Sequence, residues 1–537
     1  MSEAIQTLDW WVIGIYLAGL ILFSLYLSRK QFSREDYYVG HHAIGPWPIA
    51  ISTMATQCST NSILGAPAFV AFAAGGGLIW LQYEMAVPLA MIAIMIFLFP
   101  VFFKLQLISV YAYLESRFDL KTRLVLSILF QFVRAFATAV TVYSIAIVVE
   151  LITGLGFFWS VLIIGAITLV YDTLGGIKGV IYSDVLQLII LTVVLVGLLV
   201  LLVDDIGGLF LMFDNLSGDR RQTLDFSAHG LGDGEVFAFW PMLIGGFFLY
   251  VSYYGCDQSQ VLRELCAHSM DDGKKALFLN GVLRFPLVLL YCLVGVGLAA
   301  YSFENPGLLT SLPTKNGAPN YNLAVPQYMA LTLPPGVLGF ALVALFAAAM
   351  SSLDSVINSL SAVTMEDFVF RFHQGTWSEK KELWISRLIT LIWGSITLIF
   401  AFFVGDIADT VLEAINIIGS LVNGPILAVF AMGLLTQRVS RTAAVSGLLA
   451  GFLFNLYCWW ALPGLSWLWW NVFGFLVTAV TGLILSLALP CLKDVSEYTW
   501  HFHDEGDNLG NQRWRKGYCW LIAYAGIILV VLILMAL

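Results

Sequence analysis

Apolar residues in this chain come in long runs separated by brief polar stretches. Runs of about 18 residues or more are long enough to cross a bilayer as helices. Fourteen are predicted, near 8–28, 45–75, 78–103, 125–153, 156–174, 180–203, 236–256, 275–303, 335–367, 384–405, 410–436, 440–462, 466–490 and 517–537. The short alternating strands of an outer-membrane barrel are absent from the pattern, so the spans read as helices. The fold class is therefore an all-α polytopic membrane protein, one transmembrane domain over residues 1–537. The first run follows Glu3 and Asp9 rather than Lys or Arg and has no small-residue cleavage site, so it reads as a retained helix and not a signal peptide.

Composition rules out the soluble alternative. The 537 residues are 59% hydrophobic and 11% charged, and no globule of this size hides that much apolar surface from water. Basic residues then set the orientation. With the N-terminus outside, the short cytoplasmic loops take 21 of the 26 Lys and Arg residues, Arg117, Arg123 and Arg263 among them. The outer loops take three, Arg220, Arg221 and Lys315. Both termini are thus expected on the outer side of a plasma or inner membrane. Seven cysteines without paired spacing suggest neither a disulfide framework nor a metal site. The stretch "HFHDEGD" at 501–507 has faint metal-binding character and reads as a solvated loop. Without a Walker A sequence or an HExxH motif, neither an ATP-driven pump nor a zinc protease is indicated, and no enzyme is predicted. The expected partners are the bilayer and a small-molecule solute, with no nucleic acid and no obligate protein partner.

Charges inside the spans carry the chemistry, because each costs about 2.5–3.5 kcal/mol to insert. They are Glu84 in "WLQYEMAVP", Arg134 in "FQFVRAFATAV", Asp184 in "GVIYSDVLQLII" and Asp354 in "AAAMSSLDSVINSLSAV". A buried structural charge is the alternative for each, most readily for Asp184 near its span end. Asp354 has company: Ala348, Ser351, Ser352, Ser355, Ser359 and Ala362 recur at three- and four-residue steps and share its side of a helix. Small residues on one stripe also serve close helix packing, but a carboxylate one turn from several hydroxyls is an oxygen ligand set for a hard cation. The spans most interrupted by polar and Gly residues are the second, "STMATQCSTNSILGAP" at 52–67, and the seventh, "GGFFLYVSYYGCDQSQ" at 245–260. Interrupted helices at matching places in two halves point to an inverted-repeat transporter, since unwound backbone at that depth is tolerated where it lines a cavity or ion site.

Three motifs resemble those of the sodium:solute symporters, a family that includes sodium–glucose, proline, pantothenate and sialic acid transporters. They are "GGIKGVIYSDVLQ" (175–187), similar to the family signature with Ser183 where Thr is usual, "FAAAMSSLDSVINS" (346–359) and "MATQCSTNSILGAPA" (54–68). The resemblance implies a leucine-transporter-type fold with inverted repeats over 45–203 and 236–436, and peripheral helices over 8–28 and 440–537. It implies Na+ as the coupling ion, one or two per cycle. The first sodium site would use the carbonyls of Ala55, Cys58 and Ala348 and the hydroxyls of Ser351 and Ser352. The second would use Asp184, Ser351, Asp354 and Ser355, where this chain has Asp354 in place of a frequent Ser or Thr; its protonation state stays open. For the solute, the resemblance points to Gln57, Ser59, Ser62 and Gln82. Arg134 matches the arginine that pairs with the carboxylate of sialic acid, a role suited to its planar fork. Glu84 resembles a sugar-hydroxyl ligand of the glucose and galactose carriers, Tyr253 their inner gate tyrosine, and Asn416 lies near a polar ligand. Arg284 is a rough counterpart of a lysine in one bacterial sugar carrier. The implied function is sodium-coupled secondary active import of a carboxylate-bearing sugar, such as sialic acid, or a related organic anion. The alternative is a neutral sugar or polyol.

Overall fold

The computed structural model describes residues 5–58, 60–315, 317–404, 411–491, 493–500 and 505–536. The expected second span is two short helices, α2 (Pro46–Gln57) and α3 (Thr60–Ala71), preceded by α1 (Thr7–Ser28). Pro46 opens α2 at a position where no backbone N–H is needed. The helix stops at Cys58, whose φ of −80° and ψ of 61° leave the helical region. The polar stretch at 52–67 thus flanks a real interruption of the backbone.

The third span, α4 (Leu78–Lys104), is wound irregularly, with a 3-10 start over Leu78–Met85 and a π turn at Ile94–Leu98. Next come α5 (Leu120–Thr153) and α6 (Phe157–Ile206). Asp119 caps α5, accepting from the Thr122 backbone N–H at 2.9 Å. At 50 residues α6 is far longer than one crossing of about 20 residues requires. It turns at Gly176 (φ 54°, ψ −162°), where a Cβ would lie 2.8 Å from the Tyr37 carbonyl oxygen; only glycine fits that turn and that approach. Tyr171 and Asp172 precede the turn and Asp184 follows it.

The second half holds α7 (Gly246–Cys256), α8 (Gln258–Leu265), α9 (Met270–Glu304), α10 (Val337–Phe372) and α11 (Glu379–Ala401). It continues with α12 (Val411–Leu435), α13 (Arg441–Ala461), α14 (Trp467–Ala488) and α15 (Glu505–Ala536). Among the described residues, eleven helices are long and apolar enough to cross a membrane. They differ from the fourteen expected spans in three places: the second is broken, the seventh is short, and the fifth and sixth share α6. The chain is a multi-pass membrane protein.

Helix α10 is the centre, packed against α2, α5, α6 and α11. In its most apolar stretch 94% of residues are buried, against 17% in α1 and 22% in α15, so the latter two present their sides to lipid. Asp9 of α1 still reaches inward: its Oδ1 accepts from the Gly336 and Gly339 N–H groups, each at 2.7 Å, at the start of α10. A carboxylate there satisfies free helix-end donors and favours the helix dipole.

Four basic residues expected in cytoplasmic loops, Arg117, Arg123, Arg263 and Lys274, are instead buried. Arg117 donates to the carbonyls of Gly433, Val439 and Thr436, and Arg123 pairs with Asp367 and Glu115. Arg263 lies in α8 at 0% exposure. Counting loop charges does not distinguish a basic residue that faces the cytoplasm from one that anchors neighbouring helices.

Candidate functional site

A cavity of about 140 Å³ lies where α2, α3, α4, α5, α7, α9 and α10 meet. Its walls include Gln57, Cys58, Ser62, Glu84, Arg134, Tyr253, Arg284, Ser352 and Asn416, so nine residues named from the sequence come together around one space. A second chamber of about 70 Å³ shares Arg134, Ala137, Leu249, Tyr253 and Asn416 with it and adds Asp257. Ser59 lies outside the described residues. Gln82 does not line either chamber: fully buried, its amide donates to the Phe237 carbonyl at 2.6 Å and its oxygen accepts from the Asp225 N–H at 3.2 Å. Its expected contact with solute gives way to a clasp on the chain leading into α7.

Three ionisable side chains, Glu84, Arg134 and Arg284, face the first chamber. Arg134 donates through Nε to Asp257, the residue that caps α8, and its guanidinium lies 4.7 Å from the centre of the Tyr253 ring. Glu84 and Arg284 form a two-point pair, Nε to Oε2 at 2.7 Å and Nη2 to Oε1 at 3.1 Å. Tyr250 joins them, accepting from Arg284 Nη2 at 3.1 Å and donating to Glu84 Oε1 at 3.3 Å. The other nitrogen of Arg284, Nη1, is buried without a protein partner, as is Gln57 Oε1. Such groups retain their full desolvation cost until something binds them. Arg284 thus turns one edge to Glu84 and leaves Nη1 unpaired.

The residues expected to form the first cation site meet at the helix break. Ser351 Oγ lies 3.3 Å from the Ala55 carbonyl oxygen and 3.2 Å from that of Ala348. Ser352 Oγ lies 3.0 Å from the Thr56 carbonyl and 3.4 Å from that of Ala348. Four of the five expected ligand residues, Ala55, Ala348, Ser351 and Ser352, are thus joined through neighbouring oxygens, and the fifth, Cys58, ends α2 three residues beyond Ala55. The interruption brings carbonyls of α2 up to hydroxyls of α10, the kind of oxygen set that hard cations take.

The second expected site contains a residue that the sequence reading missed. Asp184 Oδ2 accepts from Ser52 Oγ at 2.5 Å and from Arg263 Nη2 at 3.4 Å. Arg263 also donates to Ser52 at 2.6 Å, to Ser355 Oγ and to the Ser259 carbonyl. Asp354 accepts from Tyr171 at 2.6 Å and from Ser355 at 3.1 Å, and the Thr56 and Ser355 hydroxyls lie 3.0 Å apart. A guanidinium therefore sits between Asp184 and Ser355, holding with a tethered positive charge the place where a free cation was expected. A sequence signal existed: Arg263 closes the polar run that follows the interrupted seventh span.

Comparison with known proteins identifies the framework. The model of the sodium:solute symporter family matches residues 37–451. A sodium/sialic acid symporter, NanT, of Aliivibrio fischeri is 28% identical over 500 residues, covering 92% of this chain and 95% of the relative. Sodium-coupled monocarboxylate transporter 1 of Xenopus laevis is 30% identical over 455 residues, covering 83% and 69% respectively. Among solved structures, a Na+-coupled sialic acid symporter in a substrate-bound outward-open state superposes with a TM-score of 0.80 at 24% identity, covering 90% of this chain and 98% of the other. Mhp1, a nucleobase-cation-symport-1 family transporter, shares the fold at a TM-score of 0.53 and 13% identity, covering 86% and 96%. Members of the matched family are transporters and not enzymes, and their coupling ion is Na+. The chain belongs to the sodium:solute symporter family.

Proposed function

We propose that the chain is a sodium-driven symporter that imports a small carboxylate, with a sugar acid such as sialic acid as its first candidate. The observation that carries this reading is the pair of arginines facing one cavity, Arg134 and Arg284, with Nη1 of Arg284 left without a protein partner. A bound carboxylate supplies the missing acceptor, and charge-assisted bonds of this kind are the strong ones. Two of the relatives support the class, since sialic acid and monocarboxylates are both acids.

Sodium at Ala55, Cys58, Ala348, Ser351 and Ser352 orders the break between α2 and α3. Gln57, Ser62, Glu84, Tyr253 and Asn416 complete the solute pocket. We read fourteen crossings, with 45–203 and 236–436 as inverted repeats rocking around this centre and 8–28 and 440–537 at the periphery, both termini outside. A cation falling through 100 mV releases about 2.3 kcal/mol, and about 1.4 kcal/mol is a tenfold ratio. One sodium with a neutral solute therefore sustains about a 50-fold gradient from the potential alone. A monoanion with one sodium gains nothing from it, so the anionic reading favours a second ion, at Asp184, Ser351, Asp354 and Ser355, when Arg263 withdraws.

Arg134→Gln separates the two solute classes. Uptake of labelled sialic acid or of a small monocarboxylate by reconstituted protein is expected to fall at least about tenfold, the loss of one charge-assisted bond of about 1.5–3 kcal/mol. Unimpaired uptake would confine Arg134 to its pair with Asp257 and remove it from the carboxylate argument.

A further inference from the structure

We infer that Asp257 is a positioning residue for solute exchange: an internal carboxylate that holds Arg134 when no solute does and takes it back as the solute departs. The inference deepens the carboxylate reading above and rests on it. Arg134 lines both chambers and Asp257 lines the second, so their ion pair stands where the two spaces adjoin. Among the described residues Arg134 hydrogen-bonds through Nε alone, to Oδ2 of Asp257. Its guanidinium rests on the Tyr253 ring, whose hydroxyl accepts from the Gln260 amide of α8 at 2.7 Å. The donors on Nη1 and Nη2 remain for a solute in the first chamber. Asp257 is fixed by its own helix: Oδ1 accepts from the Ser259 N–H at 2.8 Å and from the Ser259 hydroxyl at 2.5 Å. One oxygen thus caps α8 and the other is left to the arginine.

Charge counting says what a solute does to this arrangement. Glu84 is matched by Arg284 and Asp257 by Arg134. The two pairs are not alike: Glu84 grips its arginine at two points, through Nε and Nη2, whereas Asp257 grips Arg134 at one. The single grip is the one that a solute can undo. A carboxylate solute adds an anion for which the protein supplies no further cation here. It meets a guanidinium already drawn toward Asp257, and gains the full strength of a charge-assisted bond only as that pull is released. Asp257 then stands without its partner at 12% side-chain exposure, a desolvation cost that is recovered when the pair forms again. The pair therefore lowers affinity for the solute and eases its departure. Without the rival carboxylate, the solute binds more tightly and leaves more slowly, since affinity differences within one site fall mostly on the off-rate.

The test is equilibrium binding of labelled sialic acid and of labelled propionate to the purified full-length protein in detergent with sodium, beside uptake of the same acids into proteoliposomes. Asn and Ser cap helices as well as Asp does, so Asp257→Asn removes the charge and spares α8. Asp257→Ser does the same with a shorter side chain and stands in if the Asn variant does not purify as a single species. Either variant is expected to bind the acid at least about tenfold more tightly than the parent, because one charge-assisted bond is no longer exchanged for another. Its maximal rate of uptake is expected to fall, as release slows. Damage to the fold would instead lower affinity and rate together. Affinity that is unchanged or weaker overturns the inference and leaves Asp257 as a cap and an anchor for Arg134. A parent protein that binds neither acid sinks the carboxylate reading itself, so the two failures are told apart by the parent alone.

Discussion

Arg263→Met is expected to lower folded-state stability by about 3–5 kcal/mol, the usual cost of removing one partner of a buried ion pair. That is a large share of the roughly 5–15 kcal/mol typical of a folded protein. The guanidinium is fully buried and holds Ser52 of α2, Asp184 of α6, Ser355 of α10 and the Ser259 carbonyl of its own helix. Removing it strands the carboxylate of Asp184. Combining Arg263→Met with Asp184→Asn removes both charges and should recover much of the loss, a non-additive result expected only of interacting residues. Sodium should also raise the melting temperature of Arg263→Met more than that of the parent, because a free ion then takes the place the arginine held. Thermal unfolding monitored by tryptophan fluorescence, with sodium and with potassium, checks all three. A single variant as stable as the parent would show that the pair does not hold these helices together.

Exchange at Glu84 and Arg284 should separate stability from solute recognition. Arg284→Gln leaves Glu84, 1% exposed, without its two-point partner, so it should lose both stability, again about 3–5 kcal/mol, and carboxylate uptake. Glu84→Gln has the opposite consequence for the guest. It frees the second edge of Arg284, so affinity for a carboxylate solute stays within about tenfold of the parent or tightens, one charge-assisted bond being worth about 1.5–3 kcal/mol. If the solute were a neutral sugar read through Glu84, the same substitution would instead weaken binding by that amount. Competition of sialic acid, small monocarboxylates and hexoses for uptake measures the difference. Preferential loss of the acids in Glu84→Gln would count against the carboxylate reading.

Much of this organisation was legible in the residues. Apolar runs gave the membrane-spanning helices, and the break at Cys58 was visible because six hydrogen-bonding side chains crowd a segment otherwise fit for lipid. The stripe of Ser351, Ser352 and Ser355 beside Asp354 pointed to an oxygen site, and the first two hydroxyls do meet carbonyls of α2 while the third meets the Thr56 hydroxyl. Pairings were what the sequence withheld. Nothing along the chain says that Arg284 meets Glu84 200 positions away, or that Arg134 is met by Asp257, because partners on different helices leave no periodic trace. Arg263 was misplaced for a related reason: a basic residue next to a span end looks the same whether it faces water or a buried carboxylate. Gln82 was named through the family resemblance, and a matching position on a tightly wound segment does not say which way its side chain points.

The central claim is that a sodium gradient drives accumulation of a carboxylate through this chain. The direct measurement is uptake of labelled sialic acid and small monocarboxylates into proteoliposomes containing the purified protein, with an inward sodium gradient. The account predicts that at least one acid accumulates above its outside concentration and that the excess vanishes when potassium replaces sodium. Uptake that stops at equal concentrations, or proceeds equally well in potassium, would contradict it.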